Sequence, residues 1–386
     1  MDRRRVLMVS FDLSNNSLGR VAILANALSR YFEVGVLGPA TKGVVWEPLA
    51  DDRSLTVTMC RPADCLRRLL TTDADVVYAV KPVVNSFALS LAAKQFNHRP
   101  LILDVDDWEW GFCLDYLGSR RARLRSARRV TDPNNLCYVW ALDRLACVAD
   151  RITVSNRFLQ RRFGGELIPH FRDTVAFDPD RYDHELCKRE LGLGGRKVVL
   201  FLGTPRRHKG LEQLAEAIRR LGRPDVTLLI VGASDEQAGR LPHDEFVTVL
   251  GQQPFHDIPR FLAAADVVAL FQTLSPSTLG QVPAKVFDAM AMARPVVASA
   301  VSDLPEILDG CGELVEAGDV DALTRAIGSL LDDPRRAAEL GRRARRRCVE
   351  RYSVDAVAPA LRRVVLSCAP VSRRRGMPAS MSLDEA

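Results

Sequence analysis

The residues best suited to chemistry lie in Gly203-Thr-Pro-Arg-Arg-His-Lys-Gly210, directly after the apolar run Val198–Leu202 and directly before a helical pattern starting at Leu211. A buried strand ending in Gly203 would present Arg206, Arg207, His208 and Lys209 at the carboxyl edge of a sheet, where open α/β sheets hold their ligands. Guanidinium forks match phosphate oxygens, and a lysine adds a compact charge. Fixed cations there would stabilise a leaving diphosphate, whose negative charge grows toward the transition state. Taken alone, the run reads equally well as a solvated basic turn.

A second segment, Leu270 to Ser299, has a strand ending near Phe271 and a polar loop with Ser275, Ser277, Thr278 and Gly280. A helix is expected to start near Pro283, a residue suited to the first helical position. Free N–H groups at such a start attract anions. Lys285 and Asp288 fall one turn apart and can share a face, so Asp288 can either hold the two hydroxyls of a ribose or pair with Lys285. A third cluster is Leu101-Ile-Leu-Asp-Val-Asp-Asp-Trp-Glu109. Its Asp104, Asp106 and Asp107, with Trp108 beside them, can bind sugar hydroxyls and stack on a ring. Paired carboxylates can also carry a divalent ion, and solvated acids at a capped strand end are the plain alternative. The loop Leu13–Arg20 is polar and carries Gly19, but lacks the other glycines of a Gly-x-Gly-x-x-Gly turn, which argues against a nicotinamide dehydrogenase.

These loops need elements to hold them. Short branched apolar runs alternate with helical periods along the chain, the pattern of parallel sheets covered on both faces. Strands are expected at Val6–Phe11, Val34–Leu37, Leu55–Met59, Val76–Val80, Leu101–Val105 and Ile152–Val154. A second set is expected at Val198–Leu202, Leu228–Val231, Val247–Leu250, Val267–Leu270, Val296–Ala298 and Glu313–Val315. A chain of 386 residues exceeds one core, and the breakers between Pro169 and Gly195 mark a join. The expected division is 1–175, 176–352 with a linker near 170–195, a helix over 353–368 returning to the first domain, and a disordered tail over 369–386.

Composition narrows the function. A net charge of +6 suits an anionic ligand, while 4 Trp and 6 Tyr without basic interleaving do not suggest a nucleic-acid partner. Nine scattered cysteines without a Cys-x-x-Cys unit suggest reduced core thiols and neither a disulfide framework nor a zinc site. The apolar stretch Val6–Phe11 is too short for a signal peptide and no run approaches a membrane span, so a cytoplasmic location is expected. Six arginines from Arg120 to Arg129 form either an exposed helix or a patch meeting anionic membrane.

The segments from Val198 to Ser299, with Leu228-Leu-Ile-Val-Gly232, Val249-Leu-Gly-Gln-Gln253 and Asp288-Ala-Met-Ala-Met-Ala, resemble the family 4 glycosyltransferases of the GT-B fold. The resemblance covers roughly residues 5–366. It implies an α/β architecture of two doubly wound Rossmann-like domains facing a central cleft. It also implies retaining transfer of a sugar from a nucleoside diphosphate (UDP or GDP) to a hydroxyl, without a metal cofactor. Lys209 and an arginine, Arg206 or Arg207, would carry the catalytic charge. Donor binding would fall to Gly19, Gly203, Thr204, Lys285, Asp288, the backbone of Gln252 and Gln253 at the base, and the amides of Leu279, Gly280, Gln281 and Val282. The acceptor would meet Asp104, Asp106, Asp107 and Trp108. Two departures stand out: Gly280 occupies the position of the family's first glutamate, and Thr204 that of its arginine. An epimerase or hydrolase on the same fold, or a nucleotide-sugar-binding protein without turnover, would use a similar pocket.

Overall fold

The computed structural model describes residues 3–239 and 241–368. Two parallel sheets account for its strands. The first contains β1 (Arg5–Val9), β2 (Glu33–Pro39), β3 (Val57–Cys60), β4 (Val76–Val80), β5 (Leu101–Val105), β6 (Arg151–Val154) and β7 (Glu166–Leu167). Their order is β3-β2-β1-β4-β5-β6-β7. The second contains β8 (Lys197–Leu202), β9 (Val226–Val231), β10 (Val247–Leu250), β11 (Val267–Leu270), β12 (Val296–Ser299) and β13 (Glu313–Val315), ordered β10-β9-β8-β11-β12-β13. β4, β5, β9 and β11 are buried along their whole length, as strands covered on both faces must be, and apart from Asp104 and Thr227 their residues are apolar or aromatic.

Each sheet has a point where the strand order reverses, between β1 and β4 in the first and between β8 and β11 in the second. The loops leaving these strands diverge to opposite sides and open a crevice at the carboxyl edge. The two crevices meet, because segments following β5 and β6 are hydrogen-bonded to the segment after β11: Asp115 accepts from the Ser277 amide at 3.0 Å, and Asn156 Nδ2, just after β6, donates to Gly280 O at 3.1 Å. Arg157 adds a link on the same side, its amide donating to Asp303 at 2.8 Å.

The last helix, Val354–Leu366, starts at Ser353, whose hydroxyl accepts from the Ala356 amide at 3.1 Å. It returns to the first sheet's side, where Val357, Leu361 and Val365 share a core with Val21, Leu24 and Leu28. The connection from β5 to β6 is made of three helices, Glu109–Tyr116, Arg120–Arg128 and Leu136–Leu145. The tail expected to be disordered, 369–386, lies outside the described residues.

The cysteine expectation needs correction. Cys60, the last residue of β3, and Cys65, in the helix Pro62–Leu70, form a disulfide with their Cα atoms 5.8 Å apart. The tight strand-to-helix turn brings them together, which a count of cysteines cannot reveal. Cys187, Cys311, Cys348 and Cys368 are buried thiols as expected, but Cys137 and Cys147 are exposed.

Candidate active site at the domain interface

The half of the site on the second sheet is built around Gly203 at the end of β8. Its φ of +118° lies in the region that side chains avoid, and a Cβ there would stand 3.5 Å from Lys285 Cε and 3.7 Å from Lys209 Nζ. The strand end therefore leaves room for two lysines to converge from different loops. Lys209 sits in the helical turn Arg207–Lys209, half-buried, with Nζ donating to Thr204 O at 2.7 Å. Burial, then Arg206 and Lys285, pull its pKa down to about 7. Such a depressed ammonium is a site short of negative charge.

Arg206 reaches across the crevice, Nη2 lying 3.5 Å from Asn16 Oδ1 in the loop after β1, while Arg207 is exposed and without a side-chain partner among the described residues. His208 is buried against Phe112 of the first domain, ring centroids 5.7 Å apart. Burial, then Lys209 and Arg206, lower its pKa to about 4, so the ring is neutral at pH 7. Gln252 and Gln253 follow β10, beside Gly251, whose carbonyl accepts from the Gly232 amide at 3.1 Å. Gly232 in turn lies against the Gly203 backbone. Gly19 belongs to the first turn of the helix Leu18–Ser29, behind the loop that carries Asn16.

The loop after β11 is more structured than its polarity suggests. A turn of helix, Pro276–Leu279, is capped by Ser275, and the next helix begins at Lys285, two residues later than Pro283 predicts. The Leu279 amide is bonded to Ser275 O at 3.1 Å, whereas those of Gly280, Gln281 and Val282 have no acceptor among the described residues. These unbonded amides lie between the turn and the Lys285 helix, as a nest for an anion would require.

Asp288 follows the second of its two readings, a pair with Lys285, and adds a partner not foreseen, Arg172. It is fully buried, its carboxylate bonded to Arg172 Nε and 3.3 Å from Lys285 Nζ. Burial acts against its charge, but the two cations hold its pKa below the usual carboxylate range. Its evident task is to anchor Lys285 at the crevice and Arg172 at the domain junction. Arg172 escaped the sequence reading, although its place in the Pro169–Asp173 junction was a signal.

The acidic cluster needs the largest correction. Asp104 is no surface acid: it is fully buried in a two-pronged pair with Arg20, Nε and Nη2 each at 2.9 Å, and accepts from Thr153 at 2.7 Å. Asp106 is buried beside Lys81 Nζ at 3.0 Å. Burial and then Asp107 and Asp104 push its pKa up to about 7, against the pull of Lys81. Asp107 remains at the interface. One oxygen takes Lys81 Nζ at 2.7 Å and the other takes Gln281 Nε2 at 3.0 Å, joining the acid cluster to the donor loop. Lys81 also holds Glu109 at 2.6 Å. This lysine was missed, although it immediately follows β4 at the carboxyl edge.

Trp108 is half-buried and its ring is already engaged within the first domain. Its Nε1 donates to Asp143 at 3.1 Å, and Arg162 and Phe158 cover its ring. Its backbone packs on Gly280, where a Cβ would come within 2.3 Å of Trp108 Cβ. That contact explains the glycine: no larger side chain fits between the domains here.

The comparisons agree with this geometry. Residues 196–333, which include Gly203, Lys209 and Lys285, match the glycosyl transferases group 1 family. The GDP-mannose-dependent alpha-(1-6)-phosphatidylinositol monomannoside mannosyltransferase of Mycolicibacterium smegmatis is 36% identical over 224 residues, covering 52% of this chain and 58% of the relative. The alpha-maltose-1-phosphate synthase of the same organism is 35% identical over 201 residues, 47% of this chain and 50% of the relative. The chain thus spans about half the length of the curated relatives it matches. Among solved structures, Anabaena HepE in complex with UDP and glucose has a TM-score of 0.72 at 19% identity, covering 94% of this chain and 100% of that one. Sucrose-phosphate synthase from Thermosynechococcus elongatus has a TM-score of 0.70 at 19% identity, covering 94% and 98%. The second sheet's crevice falls inside the segment that matches the glycosyl transferases group 1 family, and along nearly its whole length the chain shares the two-domain GT-B fold of these solved structures.

Proposed function

We propose that the protein transfers a sugar from a nucleoside diphosphate to a hydroxyl acceptor with retained anomeric configuration. The observation that carries this reading is the convergence of Lys209 and Lys285 on Gly203 at the strand-order reversal between β8 and β11. A donor diphosphate lies between the two lysines and the amides of Gly280–Val282, with Arg206 closing from the side. The ribose and base extend toward Lys285 and the loop of Gln252 and Gln253. The same charges stabilise the departing diphosphate, and its oxygen takes the acceptor proton on the face it leaves, so no protein nucleophile is required. Because lysines and amides neutralise the diphosphate, no divalent cofactor is needed.

GDP-mannose is the first donor to try, since the Mycolicibacterium mannosyltransferase is named for it, and UDP-glucose the second, given the UDP and glucose in HepE. The acceptor enters from the first domain beside Asp107 and Glu109, and Arg120–Arg129 faces an anionic membrane from the cytoplasmic side. The test is a transfer assay with both donors in excess EDTA, over a panel of hydroxyl acceptors including lipid extracts. Product with the donor's anomeric configuration supports the proposal. Donor epimerisation or hydrolysis independent of acceptor contradicts it.

A further inference from the structure

The connection from β5 to β6 is longer than the donor site needs, and its surface is unusual. Of the eighteen large hydrophobic side chains exposed among the described residues, seven fall between Tyr116 and Val148. Large exposed apolar patches mark interaction sites, and Tyr116 carries this apolar surface into the groove between the helices. The helix Arg120–Arg128 has no buried residue at all.

Between the three helices of this connection runs a groove of about 390 Å³. Phe112, Cys113, Leu117 and Val139 give it an apolar wall, and Arg125 and Arg129 stand at its other side. Both arginine side chains are exposed and have no carboxylate partner among the described residues. Asp132 is the one acid at the groove besides Glu109. The inner end abuts the transferase site: Glu109, which lines the groove, is held by Lys81 at 2.6 Å, and the Phe112 ring is 5.7 Å from that of His208. A molecule lying in this groove has its inner end beside the donor loop.

We infer that this groove is the acceptor site and that the acceptor is an anionic amphiphile, a phosphate or phosphodiester carrying an acyl or prenyl chain. The chain lies on Phe112, Leu117 and Val139, the phosphate meets Arg125 and Arg129, and the hydroxyl head points inward to Glu109. Two unpaired guanidinium groups facing an apolar wall suit that combination of charge and hydrocarbon, and neither a free sugar nor a neutral lipid would use both. The acceptor role rests on the transferase reading above.

Calorimetric titration of the full-length protein with dodecyl phosphate, kept monomeric, is the test, beside inorganic phosphate and dodecyl maltoside. Dodecyl phosphate is expected to bind at least about tenfold more tightly than either control, one decade being 1.4 kcal/mol. Ala122→Trp fills the groove from the exposed helix, so folding is retained, and it should weaken dodecyl phosphate about tenfold or more. Arg125→Glu with Arg129→Glu should do the same without altering the dodecyl maltoside titration. In both variants GDP and UDP should raise the melting temperature as in wild type. Unchanged dodecyl phosphate affinity in both variants would overturn the site, and equal affinity for dodecyl phosphate and dodecyl maltoside would overturn the anionic class. Failure of wild type to bind GDP or UDP would instead overturn the transferase reading and the acceptor role with it.

Discussion

Lys209 is held in a state that a bound anion would relieve. Its pKa is drawn down to about 7 by burial and by Arg206 and Lys285, so in the free protein its charge is half lost near neutrality. A diphosphate restores it, and binding above that pH must therefore take up a proton. Affinity for GDP or UDP should fall as pH rises through about 7, and Lys285→Met should move the break upward; titrations in buffers of different ionisation enthalpy would show both. The stability sign is also fixed. The folded pKa lies below the ordinary lysine value of 10.5, so Lys209 subtracts stability below about pH 7, and this cost disappears as pH rises toward 10.5. Lys209→Ala should consequently melt no lower than wild type at pH 6.5. Asp288 behaves in the opposite way. Asp288→Asn leaves Arg172 buried without its counter-charge and should cost about 3–5 kcal/mol in a denaturant melt, the range for breaking a buried pair from one side. A loss below about 1 kcal/mol, the size of an exposed pair, would mean the carboxylate is not the anchor described.

Among the elements, the loop after β11 and the helix Glu109–Tyr116 decide how closely the domains approach. Gly280→Ala places a methyl into the Trp108 contact and should cost about 1–3 kcal/mol through overpacking. Solution scattering should register a more open molecule and turnover should drop, while GDP or UDP binding to the second domain changes little; unaltered scattering and turnover would contradict the packing argument. This loop also shows where sequence reasoning held and where it failed. β4 was legible to the residue as an unbroken apolar run, and β5 as a run interrupted only by Asp104, because strands buried on both faces are apolar almost throughout. β7, two residues beginning with Glu166, carries no such signal. The turn Pro276–Leu279 was within reach, since Ser275, Pro276 and Thr278 spell a capped start. Asp104 was not. Its partner Arg20 lies 84 positions away, and nothing local distinguishes an acid paired in the core from one facing a cleft. The pairing of Asp288 with Lys285 was one of its two readings, but its bond to Arg172, at a separation of 116, was not legible for the same reason. The lysine-and-glycine turn was legible because its parts are contiguous, whereas the groove proposed for the acceptor is assembled from three helices and has no motif.

At the scale of the molecule, the two sheets bring their carboxyl edges together, and the last helix ties the chain end back to the first domain through Leu361 and Val365. A nucleotide that binds only the folded molecule raises its apparent stability, by about 2.7 kcal/mol at a hundredfold excess over Kd. Everything proposed about activity depends on the diphosphate lying at Gly203 between Lys209 and Lys285. The most direct measurement is the affinity of GDP and of UDP, by calorimetry in excess EDTA, for wild type and for Lys209→Ala, with circular dichroism confirming that both are folded. One of the two nucleotides should bind wild type without metal, and Lys209→Ala should bind it at least about tenfold more weakly, a loss of 1.4 kcal/mol or more, as for a charged hydrogen bond removed. Equal affinity in the two proteins would contradict the account and place the donor elsewhere.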